Sequence, residues 1–255
     1  MKISIVNKNC SFDNHYLVNI SADSSIEIEL ELQRVVSSQS KKIIQDKLTQ
    51  ELSNELKNYK WLIFGKVQVE IHWYIDSVKR QETDKIGDLD NITKPLLDSL
   101  IGKNGILIDD SQINSIHTTS TTKNVLKKDN IVKLFINFNN DYTVLKQNLF
   151  FLQTSQVIYI PLNFNIKSKE DLKSIKFFIE AFKQKRVFSS ILKNKLGVNL
   201  EEYLVKSDYE FHRTRLNGFN KNQIITDKEF DQICKKEGVD ISDIINEFKE
   251  PNANK

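Results

Sequence analysis

The chain has 255 residues, of which 39% are hydrophobic and 28% charged, and its formal net charge at pH 7 is +3. These values are typical of a globular protein that buries a core without disulfide or metal support. The sequence shows no stretch of 18 or more apolar residues and no recognisable secretory signal, and its two cysteines, Cys10 and Cys234, fit no disulfide framework or zinc site. We therefore expect a cytoplasmic protein in a reducing compartment.

The first half of the chain has the patterns of an α+β fold. A strand is predicted at residues 2–6, within an N-terminal extension that we place at residues 1–22. Apolar residues alternate with polar ones over 26–32 and again over 67–75, which predicts two half-buried strands. Between these strands an apolar residue recurs at every fourth position, as on the buried face of a helix: Ile44, Leu48, Leu52 and Leu56.

Three further elements complete this region. A helix is predicted over 92–101, a short strand over 106–108 and a last strand over 131–138, with a turn between the first two. The order of elements favours a mixed α/β core, in which a small mixed sheet carries helices. We place this domain at residues 23–140.

The second half of the chain is expected to fold separately, as a mostly helical domain over 141–250 with a disordered tail at 251–255. One strand is predicted at 157–164, and Ser168 can cap a helix. Two more helices are predicted, one from a capping box at Thr226 and one from Asp240. The pair resembles a helix-turn-helix in outline, although the acidic second helix suits ordinary packing better than phosphate binding.

Charge is unevenly distributed along the chain. Residues 142–226 carry 14 basic and 7 acidic side chains, whereas residues 1–140 carry 18 of each. The basic region either faces a polyanion or forms a solvated surface rich in lysine.

Acidic residues and one lysine are concentrated between positions 87 and 113: Asp88, Asp90, Lys94, Asp98, Asp109 and Asp110. Asp88 and Asp90 are two residues apart, so their side chains point the same way in an extended segment. Asp109 and Asp110 follow the predicted strand 106–108. If that strand pairs beside the Asp88 segment, three or four carboxylates converge.

Converging carboxylates predict a metal site. They repel one another unless a cation neutralises them, and Mg²⁺ prefers such oxygen ligands. A bound divalent cation can polarise a phosphodiester and lower the pKa of a bound water, while Lys94 can stabilise charge on the phosphate or position the water. The pattern therefore favours metal-assisted hydrolysis of a phosphodiester.

Each residue also has a simpler interpretation. A D-x-D pair is commonly a helix cap or part of a solvated surface. Asp98 has the spacing of a structural ion pair with Lys94, and Asp109 can cap the next turn. A phosphatase-type D-x-D would directly follow a buried strand, whereas a polar loop precedes Asp88.

The combined pattern is more specific than its parts. D-x-D-N-x-x-K-x-x-x-D-x-L, then a glycine-containing turn, then D-D-x-Q-I, resembles the RusA family of Holliday junction resolvases. The resemblance covers residues 25–138 in the order of strands and helices. The matching residues are Asp88, Asp90, Asn91, Lys94, Asp98, Leu100, Asp109, Asp110, Gln112 and Ile113.

The resemblance implies a nuclease of bacterial, phage or mobile-element origin. Members of the family are Mg²⁺-dependent homodimers that cut four-way DNA junctions by paired nicks, and Mn²⁺ is a plausible substitute for Mg²⁺. Their metal ligands correspond to Asp88, Asp90 and Asp110, and their catalytic lysine to Lys94. The remaining polar positions, Asn91, Asp98 and Asp109, are then supporting or structural.

The sequence departs from the family pattern in two places. Pro95 directly follows the lysine, where it is tolerated only near a helix start, so we expect the helix to begin at Asp90 or Asn91. Residues 117–122, HTTSTT, precede the basic Lys123, whereas family members often carry a basic residue closer to the motif.

Two alternatives remain beside a Holliday junction resolvase. One is a nuclease for other branched DNA, such as forks or flaps, because a second domain can redirect a catalytic core. The other is a junction-binding protein without cleavage activity, against which the intact set Asp88, Asp90, Asp110 and Lys94 argues.

Overall fold

The computed structural model describes residues 2–8, 23–76, 88–124, 126–198 and 209–240. The chain divides into two compact units, Met1–Val144 and Leu145–Lys255. Both contain strands and helices, so the predicted α+β class is confirmed. Cys10, the helix predicted from Asp240 and the tail lie outside the described residues, apart from Asp240 itself. No helix in the described part of the chain is long and apolar enough to span a membrane.

The first unit contains a five-stranded sheet and two helices. Its elements in chain order are β1 (Lys2–Lys8), β2 (Asp23–Leu32), α1 (Lys42–Leu56), β3 (Trp61–Ile63), β4 (Val67–Ile75), α2 (Leu89–Asp98), β5 (Ile113–Thr122) and β6 (Asn130–Asn139). The sheet order is β1-β2-β6-β4-β5. All pairs are antiparallel except β4 and β5, which are parallel and joined through α2. A further strand, β7 (Thr143–Leu145), pairs with β3 in a separate two-stranded sheet.

The helices lie on one face of this sheet because only that face is apolar. Alternate strand residues such as Ile28, Ile71 and Leu134 are fully buried, and they share one core with residues of α1 and α2. Leu52 of α1 is among them, and burying one leucine contributes about 1.5–3 kcal/mol. The opposite face carries acidic side chains at Glu27, Glu29, Glu31 and Glu70.

The N-terminal strand is part of this sheet. β1 pairs with β2 along its full length, from Lys2 opposite Glu31 to Lys8 opposite Ser25. The strand predicted at residues 2–6 is therefore confirmed. Residues 2–8, which the sequence patterns assigned to an extension, belong to the sheet of the first unit.

The second unit contains a four-stranded sheet with two helices. Its elements are β8 (Leu149–Gln153), β9 (Ile158–Asn163), α3 (Lys169–Leu196), β10 (Phe211–His212), β11 (Ile224–Ile225) and α4 (Asp227–Lys236). The sheet order is β10-β9-β8-β11. Only β9 follows from the sequence patterns: β8 is a continuous apolar run without alternation, and the other two strands have two residues each.

Helix caps in this unit follow the sequence. Ser168 accepts a hydrogen bond from the Asp171 N–H, and Thr226 forms a reciprocal capping box with Glu229, as predicted. Lys176 of α3 is 6% exposed. Burial lowers the pKa of this lysine, but its bonds to Asp231 and Glu180 outweigh burial and raise the pKa overall.

Candidate active site

The aspartates of the D-x-D motif lie at the start of α2. Asp88 is the N-cap residue in extended conformation, and Asp90 is in the first turn. Both side chains are exposed. Carboxylates are favoured at a helix N-terminus because they face unpaired N–H groups and the positive end of the helix dipole. Asp88 makes no side-chain capping bond.

The helix begins earlier than predicted, and Pro95 lies inside it. Pro95 cannot supply the N–H that would normally bond to the Asn91 carbonyl four residues before it. The backbone N–H of Ser38 bonds to that carbonyl instead, at 2.8 Å. The Ser38 hydroxyl also donates to the side-chain oxygen of Asn91. The expectation that Pro95 requires a helix start at Asp90 or Asn91 is therefore wrong, because a residue outside the helix replaces the missing donor.

Lys94 and Asp98 form the ion pair that their spacing predicts. The Lys94 Nζ lies 3.3 Å from the Asp98 Oδ1, and both side chains are well exposed, at 63% and 49%. Such an exposed pair contributes little to stability. Lys94 projects from the same helix as Asp90, four residues and about one turn further on.

A glycine turn returns the chain from α2 toward β5. Gly102 has φ +91°, and a Cβ on Gly105 would lie 2.0 Å from the Leu100 carbonyl oxygen. The predicted turn over 102–105 is therefore present and requires glycine at both ends. The segment after it forms isolated bridges from Leu107 to Ile63 and Ile101 rather than a strand beside Asp88.

Gln112 fixes the D-D-x-Q-I segment through four hydrogen bonds. Its Oε1 accepts from the N–H groups of Ile108 and Asp109, at 2.7 and 3.0 Å. Its Nε2 donates to the carbonyls of Ile63 and Gly65, both at 2.9 Å. Gln112 is only 1% exposed, so this side chain connects the motif to the start of β4. The motif identified Gln112, but sequence reasoning assigned it no role.

Asp109 and Asp110 have different environments. Asp109 is 8% exposed and caps a short 3-10 turn by accepting from the Ser111 N–H at 3.0 Å. The capping interpretation of Asp109 is therefore confirmed. Asp110 is the first residue of that turn and is half-buried. Of the two, Asp110 is the more accessible to a ligand.

The fold separates Asp110 from Asp88 and Asp90. The hydroxyls of Thr93 and Thr118 lie 3.4 Å apart, which places α2 beside the middle of β5. The end of α2 turns back near Ile63, before β4 begins, because Leu100 bonds to Ile106 and Leu107 bridges to Ile63. α2 therefore runs antiparallel to β4 and β5. Its aspartates lie toward the carboxyl ends of these strands, and Asp110 lies before the amino end of β5.

The separation is large compared with the size of a metal site. Thr118 is five residue steps along the strand from Ile113, and Thr93 is three helical steps from Asp90, which together amount to about 20 Å. Among the described residues, no group of three or more histidine, cysteine, aspartate or glutamate side chains is arranged to hold a metal ion. The carboxylates are suitable ligands for Mg²⁺, but one chain does not bring all three around one ion.

Residues 23–136 match the family described as Endodeoxyribonuclease RusA. The RusA match includes all of the motif from Asp88 to Ile113 and most of the five-stranded sheet. It agrees with the resemblance seen over 25–138 and ends before the second unit begins. No curated protein matches the chain. Residues 23–136 of the first unit are thus similar to the RusA family, and residues 145–255 lie outside the matched segment.

Proposed function

We propose that this protein is an endodeoxyribonuclease that cuts branched DNA, with four-way junctions as its substrate. The observation that carries the proposal is the RusA match together with the exposure of the motif's acidic and basic groups. Such a nuclease would act in the cytoplasm, where the buried free thiol of Cys234 would stay reduced.

The structure divides the motif into two groups of residues. Asn91, Asp109 and Gln112 are engaged in hydrogen bonds that hold α2 and the D-D segment in place. Asp88, Asp90 and Lys94 are exposed on α2. This division supports a role in chemistry for the second group, because exposed charges on one helix contribute little to stability.

We propose that Asp88, Asp90 and Asp110 bind Mg²⁺, with Mn²⁺ as a substitute. Three carboxylates are the right donors for a hard divalent cation. When bound, the ion would polarise the scissile phosphate and lower the pKa of its water. Because one chain keeps Asp110 about 20 Å from Asp90, the complete ligand set would form between two chains, in the proposed homodimer.

Lys94 is proposed to contact the phosphate. It projects from α2 near Asp90, and its present partner, Asp98, is an exposed carboxylate whose attraction is weakened by water. An exposed lysine can exchange such a partner for a phosphate oxygen at small cost.

The second unit gives a reason to consider other branched DNA. It lies outside the RusA match and exposes Arg213, Arg215 and Lys221 in the segment between β10 and β11. Additional phosphate contacts there could shift the preference toward forks or flaps. A junction-binding protein without cleavage activity is the remaining alternative.

The deciding experiment is cleavage of a labelled synthetic four-way junction, with Mg²⁺ or with chelator, beside matched duplex, fork and flap substrates. Paired, Mg²⁺-dependent nicks in the junction alone are expected. Cleavage of forks or flaps instead would support the proposed hydrolysis of a phosphodiester but replace the four-way junction as the proposed substrate. Binding to the junction without cleavage of any substrate in Mg²⁺ or Mn²⁺ would contradict the proposed activity.

A further inference from the structure

The sheet of the second unit has different neighbours on its two faces. Leu152 of β8 shares a core with residues of α3 and α4. Phe151, the residue before it, points to the opposite face because side chains alternate along a strand. There its ring packs against Phe219, with the ring centroids 4.6 Å apart. The face away from the helices is therefore contacted by residues 213–223, which we call the crossing segment.

The crossing segment connects the two edges of this sheet. It leaves β10 at one edge, where the Arg213 N–H donates to the Val157 carbonyl at 2.8 Å, and enters β11 at the other edge. Near its second end, the Gln223 side chain donates to the Leu149 carbonyl at 3.1 Å. Leu149 lies opposite Asn163 in the register of β8 and β9, six residue steps from Val157. The two ends of the segment are thus about 20 Å apart along the strands.

Buried side chains and local hydrogen bonds fix the crossing segment on the sheet. Leu216 is 0% exposed and Phe219 is 7% exposed. The Gln223 Oε1 accepts from the Asn220 N–H at 3.2 Å, while its Nε2 makes the bond to β8. Binding residues are commonly found on loops that a rigid scaffold positions. The crossing segment has this property, because its anchors hold the outward side chains over the sheet.

The outward side chains of the crossing segment are polar or basic. Arg213, Arg215 and Lys221 are exposed, as are three asparagines and a threonine. Residues 211–226 contain no aspartate or glutamate, although these two residue types make up 34 of the 255 residues in the chain. Surfaces of soluble proteins commonly intersperse both signs of charge. A fixed surface that carries only cations favours an anionic partner.

The length and chemistry of this surface fit the backbone of a nucleic acid. Over about 20 Å of its axis, duplex DNA carries about 12 phosphate charges, so one DNA molecule can reach the cations at both ends of the segment, whereas a small anion reaches one end. Arginine, lysine, asparagine and threonine are common donors to phosphate oxygens. Residues 213–223 expose no large apolar side chain, and binding to a lipid surface requires an apolar face.

We propose that the crossing segment binds the phosphate backbone of DNA through Arg213, Arg215 and Lys221. This surface belongs to the second unit and lies outside the residues that match the RusA family. The choice of DNA as the polyanion rests on the proposed function, whereas the fixed cationic surface does not depend on it. Contacts to the backbone add affinity without sequence preference.

The test is binding of the full chain to a labelled DNA duplex and a labelled four-way junction, by fluorescence anisotropy in chelator, so that binding is measured apart from cleavage. The double variant Arg213→Gln/Lys221→Gln removes one cation from each end of the segment. At about 0.1 M salt we expect its affinity for both DNAs to fall about tenfold or more. The slope of log affinity against log salt should decrease in magnitude by about 1.8, since two phosphate contacts are lost.

Three further variants separate the local effect from net charge and from folding. Lys185→Gln/Lys195→Gln removes two exposed cations from α3 in the same unit and should bind DNA as the wild type does. Arg213→Lys/Lys221→Arg keeps the charges and should retain most of the affinity. Lys221→Gln alone should lower the slope by about 0.9, which tests the proposal if the double variant fails to fold. Equal losses in the two pairs of Gln substitutions, or no loss at positions 213 and 221, would overturn the proposal.

Sedimentation with vesicles of phosphatidylserine and phosphatidylcholine separates DNA from the phosphates of a lipid surface. Vesicle binding that requires Arg213 and Lys221, with DNA binding independent of them, would overturn DNA as the partner. DNA affinity that depends on these residues in a wild type without nuclease activity would reject the proposed function alone. Cleavage by the wild type, with DNA affinity unchanged in Arg213→Gln/Lys221→Gln, would reject this inference alone.

Discussion

The Thr93 and Thr118 hydroxyls, 3.4 Å apart, fix α2 against the middle of β5. This placement sets which end of β5 each acidic residue of the motif lies toward. It holds Asp88 and Asp90 toward one end of the strand, while the Gln112 bonds to Ile63 and Gly65 hold Asp110 at the other. Asp90 and Asp110 thus belong to one sequence motif but lie about 20 Å apart in one chain, so the proposed ligand set would need a second chain.

A mixing experiment tests whether the metal site is shared. Asp90→Asn and Asp110→Asn should each abolish junction cleavage, because each removes a charged metal ligand. When the two inactive proteins are mixed and allowed to exchange subunits, one site in each mixed dimer would contain only native ligands. We expect nicking to return to about a quarter of the wild-type rate, since about half of the dimers are mixed and each has one of two sites intact.

The matched control is a mixture of Asp88→Asn and Asp90→Asn. Both residues lie on α2 of the same chain, so every site in a mixed dimer carries one altered ligand and no activity should return. If mass measurements show that subunits exchange and neither mixture regains cleavage activity, the site is not shared between chains. Full activity of Asp90→Asn alone would contradict the metal assignment.

The sequence predicts the candidate site in part. The spacing of Lys94 and Asp98 predicts their ion pair, and the position of Asp109 predicts its capping bond. Both interactions depend only on local geometry. The distance between Asp90 and Asp110 depends on the direction of α2 relative to β5, which no local pattern contains. The assumption that the segment 106–108 pairs beside Asp88 fails for this reason: its partners, Ile63 and Ile101, are determined by tertiary packing.

Gln112 is expected to be a main determinant of stability in the first unit. Gln112→Met keeps the length of the side chain but leaves the Ile108 N–H and the Ile63 carbonyl without their buried partner. We expect a loss of about 2–4 kcal/mol in the free energy of unfolding, measured by urea denaturation. Junction cleavage should also fall, because Asp110 is positioned by the same segment.

Gln68→Met provides the control for this substitution. Gln68 lies in β4 with its side chain exposed, so the change in unfolding free energy should stay within about 0.5 kcal/mol. A Gln112→Met variant as stable as Gln68→Met would show that the four hydrogen bonds do not hold the motif.

Substitutions of Lys94 and Asp98 should affect junction cleavage differently, although the two residues form one ion pair. Lys94→Ala is expected to lower the rate of junction cleavage by about 100-fold or more, because it removes the cation proposed to stabilise the phosphate. Asp98→Asn should change the rate by a few-fold at most and leave stability nearly unchanged, since an exposed pair contributes about 0.2–1 kcal/mol. Similar losses in both variants at single turnover would instead assign the pair a structural role.

The boundary between the units leads to a prediction about truncation. Residues 1–144 should fold alone, because the five-stranded sheet and its core lie within them. A cut after residue 140 removes Tyr142, whose side chain packs against Gly65 and whose carbonyl accepts from the Phe64 N–H at 2.8 Å. The shorter fragment should therefore melt at a lower temperature in circular dichroism. Equal melting temperatures would show that Tyr142 is not part of the folded core.

Lys146 should make the stability of the second unit depend on pH. Burial lowers the pKa of this lysine from 10.5 to about 8. Above pH 10.5 it is neutral in both the folded and unfolded states; as pH falls toward 8, the unfolded chain binds the proton first, and stability is lost. At pH 7 the protonated lysine carries the full cost, so Lys146→Met should stabilise the protein there by about 1–3 kcal/mol.

The stabilisation produced by Lys146→Met should disappear at high pH. The difference between Lys146→Met and the wild type is expected to shrink steadily between pH 8 and 10.5, because the wild type gains stability over that range and the variant has no group at this position to titrate. Urea unfolding at pH 7, 9 and 10.5 measures the difference, with Lys167→Met, at an exposed position of the same unit, as the reference. A difference that is constant with pH would show that Lys146 is hydrated in the folded protein, and a stabilisation that grows with pH would reverse the sign of the shift.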